Sequence, residues 1–104
     1  MTIKVGINGM GRMGRLVLRA AWDWPEFDFV QLNDPAGDAA ATAHLLQFDS
    51  VHGTWQANCT ANPKQVIIDG QPLAYSQHSS IDACDWSQCD LVIEASGQFK
   101  SKPL

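Results

Sequence analysis

Three glycines, Gly9, Gly11 and Gly14, interrupt the chain where its hydrophobic pattern changes period, and this spacing constrains the fold more than any other feature. Ahead of them, Ile3 to Ile7 is a short, apolar, partly β-branched run, which predicts a buried strand. Behind them, Met13, Leu16, Val17, Ala20 and Trp24 fall on one helical face and Arg12, Arg15 and Arg19 on another. That pattern predicts an amphipathic helix closed by Pro25, which cannot donate to the helical ladder. A strand that enters a helix through Gly-x-Gly-x-x-Gly gives each glycine its own task. Gly9 permits a tight turn, Gly11 leaves a surface without a Cβ for a pyrophosphate, and Gly14 allows helix and strand to pack closely. The amides around Arg12 and Met13 then face the phosphates, with the positive end of the helix dipole behind them.

Phe27 to Leu32 predicts a second strand, ended by the turn-forming Asn33-Asp34-Pro35. Asp34 stands twenty residues after Gly14, where a carboxylate can accept hydrogen bonds from both hydroxyls of an adenine ribose. The same charge repels a 2′-phosphate, so NAD is expected over NADP. Asp38 reads as the N-cap of a second helix over 39–48, with Ala39, Ala43 and Leu46 on its apolar face. Short strand-like pieces follow Asp49-Ser50-Val51-His52-Gly53; Val66 to Ile68 and Leu73 to Tyr75 flank Asp69-Gly70, a strong hairpin signal. Leu91 to Ala95 predicts another buried strand. Ser96 and Gly97 at its end are placed to reach a cofactor, although spacing alone fits a plain polar turn equally well. The expected fold class is α/β: a Rossmann-type, doubly wound, mostly parallel sheet with a β-hairpin excursion after the second helix.

A chain of 104 residues suits a single domain or a piece of a larger protein. With 45% hydrophobic and 17% charged residues it has an ordinary globular composition. A net charge of −4 without any basic run argues against nucleic acid as a partner. No window resembles a signal peptide or a membrane span, so no membrane partner and a cytoplasmic location are expected. Cys59, Cys84 and Cys89 form no CxxC pair and read as reduced structural thiols, with neither metal site nor disulfide framework. Asn58-Cys59-Thr60 matches a glycosylation sequon by coincidence, and His44, His52 and His78 read as structural or exposed rather than catalytic.

The blocks Val5-Gly6-Ile7-Asn8-Gly9-Met10-Gly11-Arg12-Met13-Gly14-Arg15-Leu16, Asn33-Asp34-Pro35, Asp49-Ser50-Val51-His52-Gly53 and Glu94-Ala95-Ser96-Gly97-Gln98-Phe99 together resemble glyceraldehyde-3-phosphate dehydrogenases over essentially the whole chain. The resemblance implies an NAD-binding Rossmann domain over 1–104. In it Asn8, Gly9 and Gly11 belong to the phosphate turn, Arg12 and Met13 flank the pyrophosphate, Asn33 and Asp34 hold the adenosine end, and Ser96 and Gly97 line the groove. Met10 replaces the family's usual phenylalanine, and Ser79 falls near the adenine, where an arginine is common. The resemblance also implies a homo-oligomer that oxidises glyceraldehyde 3-phosphate with NAD and phosphate: a cysteine thiolate attacks the aldehyde, hydride passes to NAD, and phosphate releases the acyl group. The family's Ser-Cys-Thr-Thr-Asn-type motif and later histidine do not occur here. The expectation is therefore a truncated chain without its catalytic domain, inactive alone and prone to self-association. Two alternatives stand beside it: a parent enzyme acting on erythrose 4-phosphate, and a stand-alone nucleotide-binding or interaction module.

Overall fold

The computed structural model describes residues 2–49, 53–79 and 81–95. The chain runs β1 (Ile3–Asn8), α1 (Arg12–Ala21), β2 (Phe27–Asn33), α2 (Ala39–Gln47), β3 (Phe48–Asp49) and β4 (Gly53–Thr54). It continues through β5 (Cys59–Asn62), β6 (Gln65–Ile68), β7 (Gln71–Ser76), a 3₁₀ turn at Ile81–Ala83 and β8 (Leu91–Glu94). Six strands form one sheet in the order β5-β6-β7-β2-β1-β8, while β3 and β4 pair separately as a small antiparallel hairpin. The inner pairings β7-β2, β2-β1 and β1-β8 are parallel, and β5-β6 and β6-β7 are antiparallel. This is the expected Rossmann-type α/β fold with a hairpin excursion after the second helix.

Local chemistry accounts for the elements. β1 and β2 carry Val5, Ile7, Phe29 and Leu32, all buried among Leu18, Leu46, Val66, Ile68 and Leu73 in the core. Asp38 caps α2 by accepting from the Ala41 amide at 2.8 Å, and Ala39, Thr42, Ala43 and Leu46 form its buried face. The β6-β7 hairpin turns at Asp69 and Gly70, with φ of 50° and 83°. Two successive positive φ values match the twist of the flanking strands, the reason Asp-Gly favours such turns. β5 and the 3₁₀ turn were not foreshadowed, because Cys59-Thr60-Ala61-Asn62 carries no strong apolar alternation and forms a strand only by pairing with β6.

Helix α1 departs from the expected face. Its buried residues are Gly14, Leu18 and Ala21, whereas Met13 and Leu16 are 59% and 41% exposed. The cause lies at Gly14: a Cβ there would stand 2.0 Å from the Gly9 carbonyl oxygen, so the helix rests on the turn through this one bare position. That contact sets the rotation of α1, and Leu18 and Ala21 follow it into the core. Arg15, expected on the solvent face, instead bonds through Nε to Asp49 Oδ2 at 3.1 Å with side-chain exposures of 11% and 1%, and donates through Nη1 to the Met10 carbonyl. It thereby fastens the hairpin β3-β4 to the start of the helix.

The packing argument makes Gly14→Ala costly even though alanine favours helix. Urea denaturation should show a loss of about 2–3 kcal/mol, the upper range for overpacking, because backbone rather than a flexible side chain must yield. An unchanged midpoint would mean that the helix does not rest on Gly9.

Candidate cofactor-binding site

Strand β1 lies between β2 and β8, so the chain leaves β1 toward one side first and reaches its other side only later. In an open parallel sheet that reversal opens a crevice beyond the carboxyl ends of the strands. A cavity of about 290 Å³ lies there, lined by Asn8, Gly9, Gly11, Asp34, Pro35, Ala36, His78, Ser79 and Ala95. Its lining comes from the ends of β1, β2 and β7 and from the residue following β8.

Each side of the cavity has a distinct chemistry. Gly9, with φ of 101°, turns the chain sharply out of β1, its amide donating to the Asn33 carbonyl at 2.7 Å. Gly11 has an ordinary φ of −73°, and a Cβ built on it meets nothing within 4 Å. No protein atom there demands a glycine, so the bare position is a surface kept clear. Gly11 is also the N-cap of α1 and supplies no side-chain hydrogen bond to the first helical turn. Amides in that turn lack intrahelical acceptors and carry the positive end of the helix dipole. A diphosphate fits such a place. The exposed Arg12 and Met13 open the helix beside it.

Asp34 closes on this turn at the side of the cavity. Its Oδ2 accepts from the Met10 amide at 2.6 Å and its Oδ1 from the Ala36 amide at 2.7 Å. Each carboxylate oxygen has a second lone pair, so a sugar diol can still be received while the carboxylate braces the turn. The following loop is held by Tyr75, whose hydroxyl donates to the Gly37 carbonyl at 2.5 Å and pairs with Thr42 Oγ1 at 2.8 Å. Burial raises the pKa of that phenol.

Asn8 and Asn33 occupy the floor. Asn33, 1% exposed, donates through Nδ2 to Asn8 Oδ1 at 2.9 Å and to the His78 carbonyl at 3.0 Å. Its Oδ1 accepts from Ser76 Oγ at 2.7 Å and the His78 amide at 2.9 Å. Both amide protons and both carbonyl lone pairs are thus engaged within the protein. Asn8 Nδ2 donates to Glu94 Oε2 at 2.9 Å.

The structure therefore brings Asn8, Gly9, Gly11, Asp34 and Ser79 to one cavity and sets Asn33 directly behind it. Ser96 and Gly97 lie outside the described residues, although Ala95 before them lines the cavity. Sequence reasoning assigned no role to Glu94 or Ser76, and read His78 only as structural or exposed. The available signal was that Asn8, Asn33, Ser76 and Glu94 are each the polar last residue of a strand.

The thiols are unlike activated nucleophiles. Burial, with Asp69 nearby, pushes the Cys59 thiol up to about 11, and burial also raises Cys84 and Cys89. Among the described residues, no group of three or more His, Cys, Asp or Glu is placed to hold a metal ion, and no helix is long and apolar enough to cross a membrane.

Comparison with known proteins places this arrangement. The family described as "Glyceraldehyde 3-phosphate dehydrogenase, NAD binding domain" matches residues 3–102. Glyceraldehyde-3-phosphate dehydrogenase 3 of Nostoc sp. is 53% identical over 103 residues, covering 97% of this chain and 31% of that protein. Glyceraldehyde-3-phosphate dehydrogenase of Geobacillus stearothermophilus is 38% identical over 104 residues, covering 98% and 31%. The cytosolic enzyme of Chlamydomonas reinhardtii is 37% identical over 99 residues, covering 93% and 29%. The chain thus spans about a third of the length of these relatives.

Raised thiol pKa values leave little thiolate at neutral pH, since deprotonation begins only as pH approaches the shifted value. Peptide mapping after iodoacetamide treatment at pH 7.5 should show Cys59 labelled about 10²-fold more slowly than free cysteine, with the rate climbing toward pH 11. Fast labelling at neutral pH would contradict the assigned environment.

Proposed function

This chain belongs to the glyceraldehyde-3-phosphate dehydrogenase family, in which it corresponds to the NAD-binding domain, and on that premise we propose how its cavity receives NAD and what the whole protein does. The first-turn amides of α1 at Arg12 and Met13 receive the pyrophosphate, which lies across Gly11 where no Cβ intrudes. Asp34 accepts from the hydroxyls of the adenine ribose with the lone pairs left by the Met10 and Ala36 amides. Ser79, on the cavity lining, is assigned to the adenine end, and Ser96 and Gly97, which follow Ala95 in sequence, are assigned to the cofactor by the family resemblance alone. Asn8 and Asn33 shape the floor. NAD, once bound, supplies the hydride acceptor.

The whole protein, on this reading, oxidises glyceraldehyde 3-phosphate with NAD and inorganic phosphate as a homo-oligomer in the cytoplasm. The names of relatives that align along nearly all of this chain support the dehydrogenase activity on glyceraldehyde 3-phosphate in that assignment. The observation that carries the cofactor reading is the cleared space over Gly11, next to an uncapped helix start and beside a carboxylate. Glycine also serves as an N-cap, so it is the cleared space beside the carboxylate, rather than the residue type alone, that favours a ligand there.

Substitution separates the two halves of the site. A Cβ at Gly11 meets no protein atom, so Gly11→Val should lower stability only by the roughly 1 kcal/mol of an apolar N-cap, a loss the thermal midpoint reads. By isothermal titration it should nevertheless weaken NAD at least about a hundredfold, the equivalent of two charged hydrogen bonds. Unaltered affinity would remove Gly11 from the site. Asp34→Ala loses both a ribose acceptor and the brace on Met10, so its absolute affinity mixes two effects. The ratio of NAD to NADP affinity cancels the shared turn, and it should fall by about tenfold or more. An unchanged ratio would show that this carboxylate does not meet the ribose.

A further inference from the structure

Four parallel strands end on polar residues that stand in register: Glu94 opposite Asn8, Asn8 opposite Asn33, and Asn33 opposite Ser76. Their side chains are joined in the same order, Glu94 Oε2 to Asn8 Nδ2, Asn8 Oδ1 to Asn33 Nδ2, and Asn33 Oδ1 to Ser76 Oγ, at 2.9, 2.9 and 2.7 Å. The backbone repeats the connection, Gly9 N to Asn33 O at 2.7 Å, Asp34 N to Ser76 O at 3.0 Å and Ala95 N to Asn8 O at 2.8 Å. A wall of the cavity follows each member: Gly9 directly after Asn8, Asp34 after Asn33 and Ala95 after Glu94, and His78 with Ser79 after Ser76 and one intervening residue. Asn33 further holds both the amide and the carbonyl of His78.

We propose that this polar row is a spacer whose members act as positioning residues, setting, together with the direct bond from the Met10 amide to the Asp34 carboxylate, the distance between the glycine turn and the end of β2 so that one dinucleotide can engage both at once. The proposal rests on the cofactor reading above. It gives Asn8 and Asn33 a role that requires no direct contact with the cofactor, consistent with the complete engagement of the Asn33 amide inside the protein. A ligand that bridges two subsites gains from the second only when the geometry allows simultaneous engagement. Loosening the row therefore penalises a bridging ligand and spares one that fills a single subsite.

The polarity of the row supplies the test. In Asn8→Asp the group that donated to Glu94 becomes an acceptor, and two carboxylates oppose one another while size is kept. In the double variant Asn8→Asp, Glu94→Gln the bond is restored in reverse, the glutamine amide donating to the new carboxylate, and the Asn33 amide still donates to position 8. Affinities of the full-length protein for NAD and for adenosine are measured by titration calorimetry and ligand-observed NMR, with thermal midpoints recorded in parallel. The single variant should weaken NAD about tenfold and adenosine less than about twofold, and the double variant should recover most of the NAD affinity. Equal loss for both ligands, or no recovery in the double variant, would overturn the spacer and leave the cofactor site standing. Failure of the unsubstituted protein to bind NAD would overturn the cofactor reading and the spacer with it.

Discussion

The site depends on how buried amide groups are satisfied at the carboxyl edge of the sheet. Asn8 and Asn33 are almost wholly buried, and a buried polar group without a partner costs more than its hydrogen bond contributes when made. Strand register resolves this by placing polar residues side by side, so that each asparagine finds its partner on the next strand. Satisfied in this way, the row keeps the two chain reversals that follow, at Gly9 and at Asp34, from drifting apart.

Onto that edge the glycines impose two different demands. Gly14 is bare because the turn's own carbonyl lies against the helix, a requirement of packing; Gly11 is bare although nothing in the protein approaches it, a requirement that points outward. Asp34 joins the two, since its carboxylate caps the Met10 amide inside the turn and faces the cavity beside it. Arg15 secures the same turn from the far side, through the Met10 carbonyl and buried Asp49. The positions that shape the turn and those left open to a ligand are thus interleaved residue by residue.

Much of this was legible in the sequence because it depends on local chemistry. The glycine spacing, the Asp38 cap and the Asp69-Gly70 turn each follow from short-range rules about φ, hydrogen bonding and Cβ sterics. The buried face of α1 was misread because counting apolar residues favours Met13, Leu16 and Ala20, whereas the tertiary contact at Gly14 rotates the helix toward Leu18 and Ala21. The resemblance assigns Asn33 with Asp34 to the adenosine end, and what no local pattern foretold is that its side chain bonds to β1 and β7, partners distant in sequence and specified by register. Arg15 with Asp49 was hidden for the same reason.

The most direct test of the account is an amide ¹H–¹⁵N NMR titration of the protein with NAD. The account predicts large shifts at Gly11, Arg12 and Met13, where the first-turn amides meet the diphosphate, while the Met10 amide stays protected from solvent exchange by its bond to Asp34. Shifts centred elsewhere, for example on Trp24 and Phe27 at the opposite edge of the sheet, or a Met10 amide that exchanges freely, would contradict it.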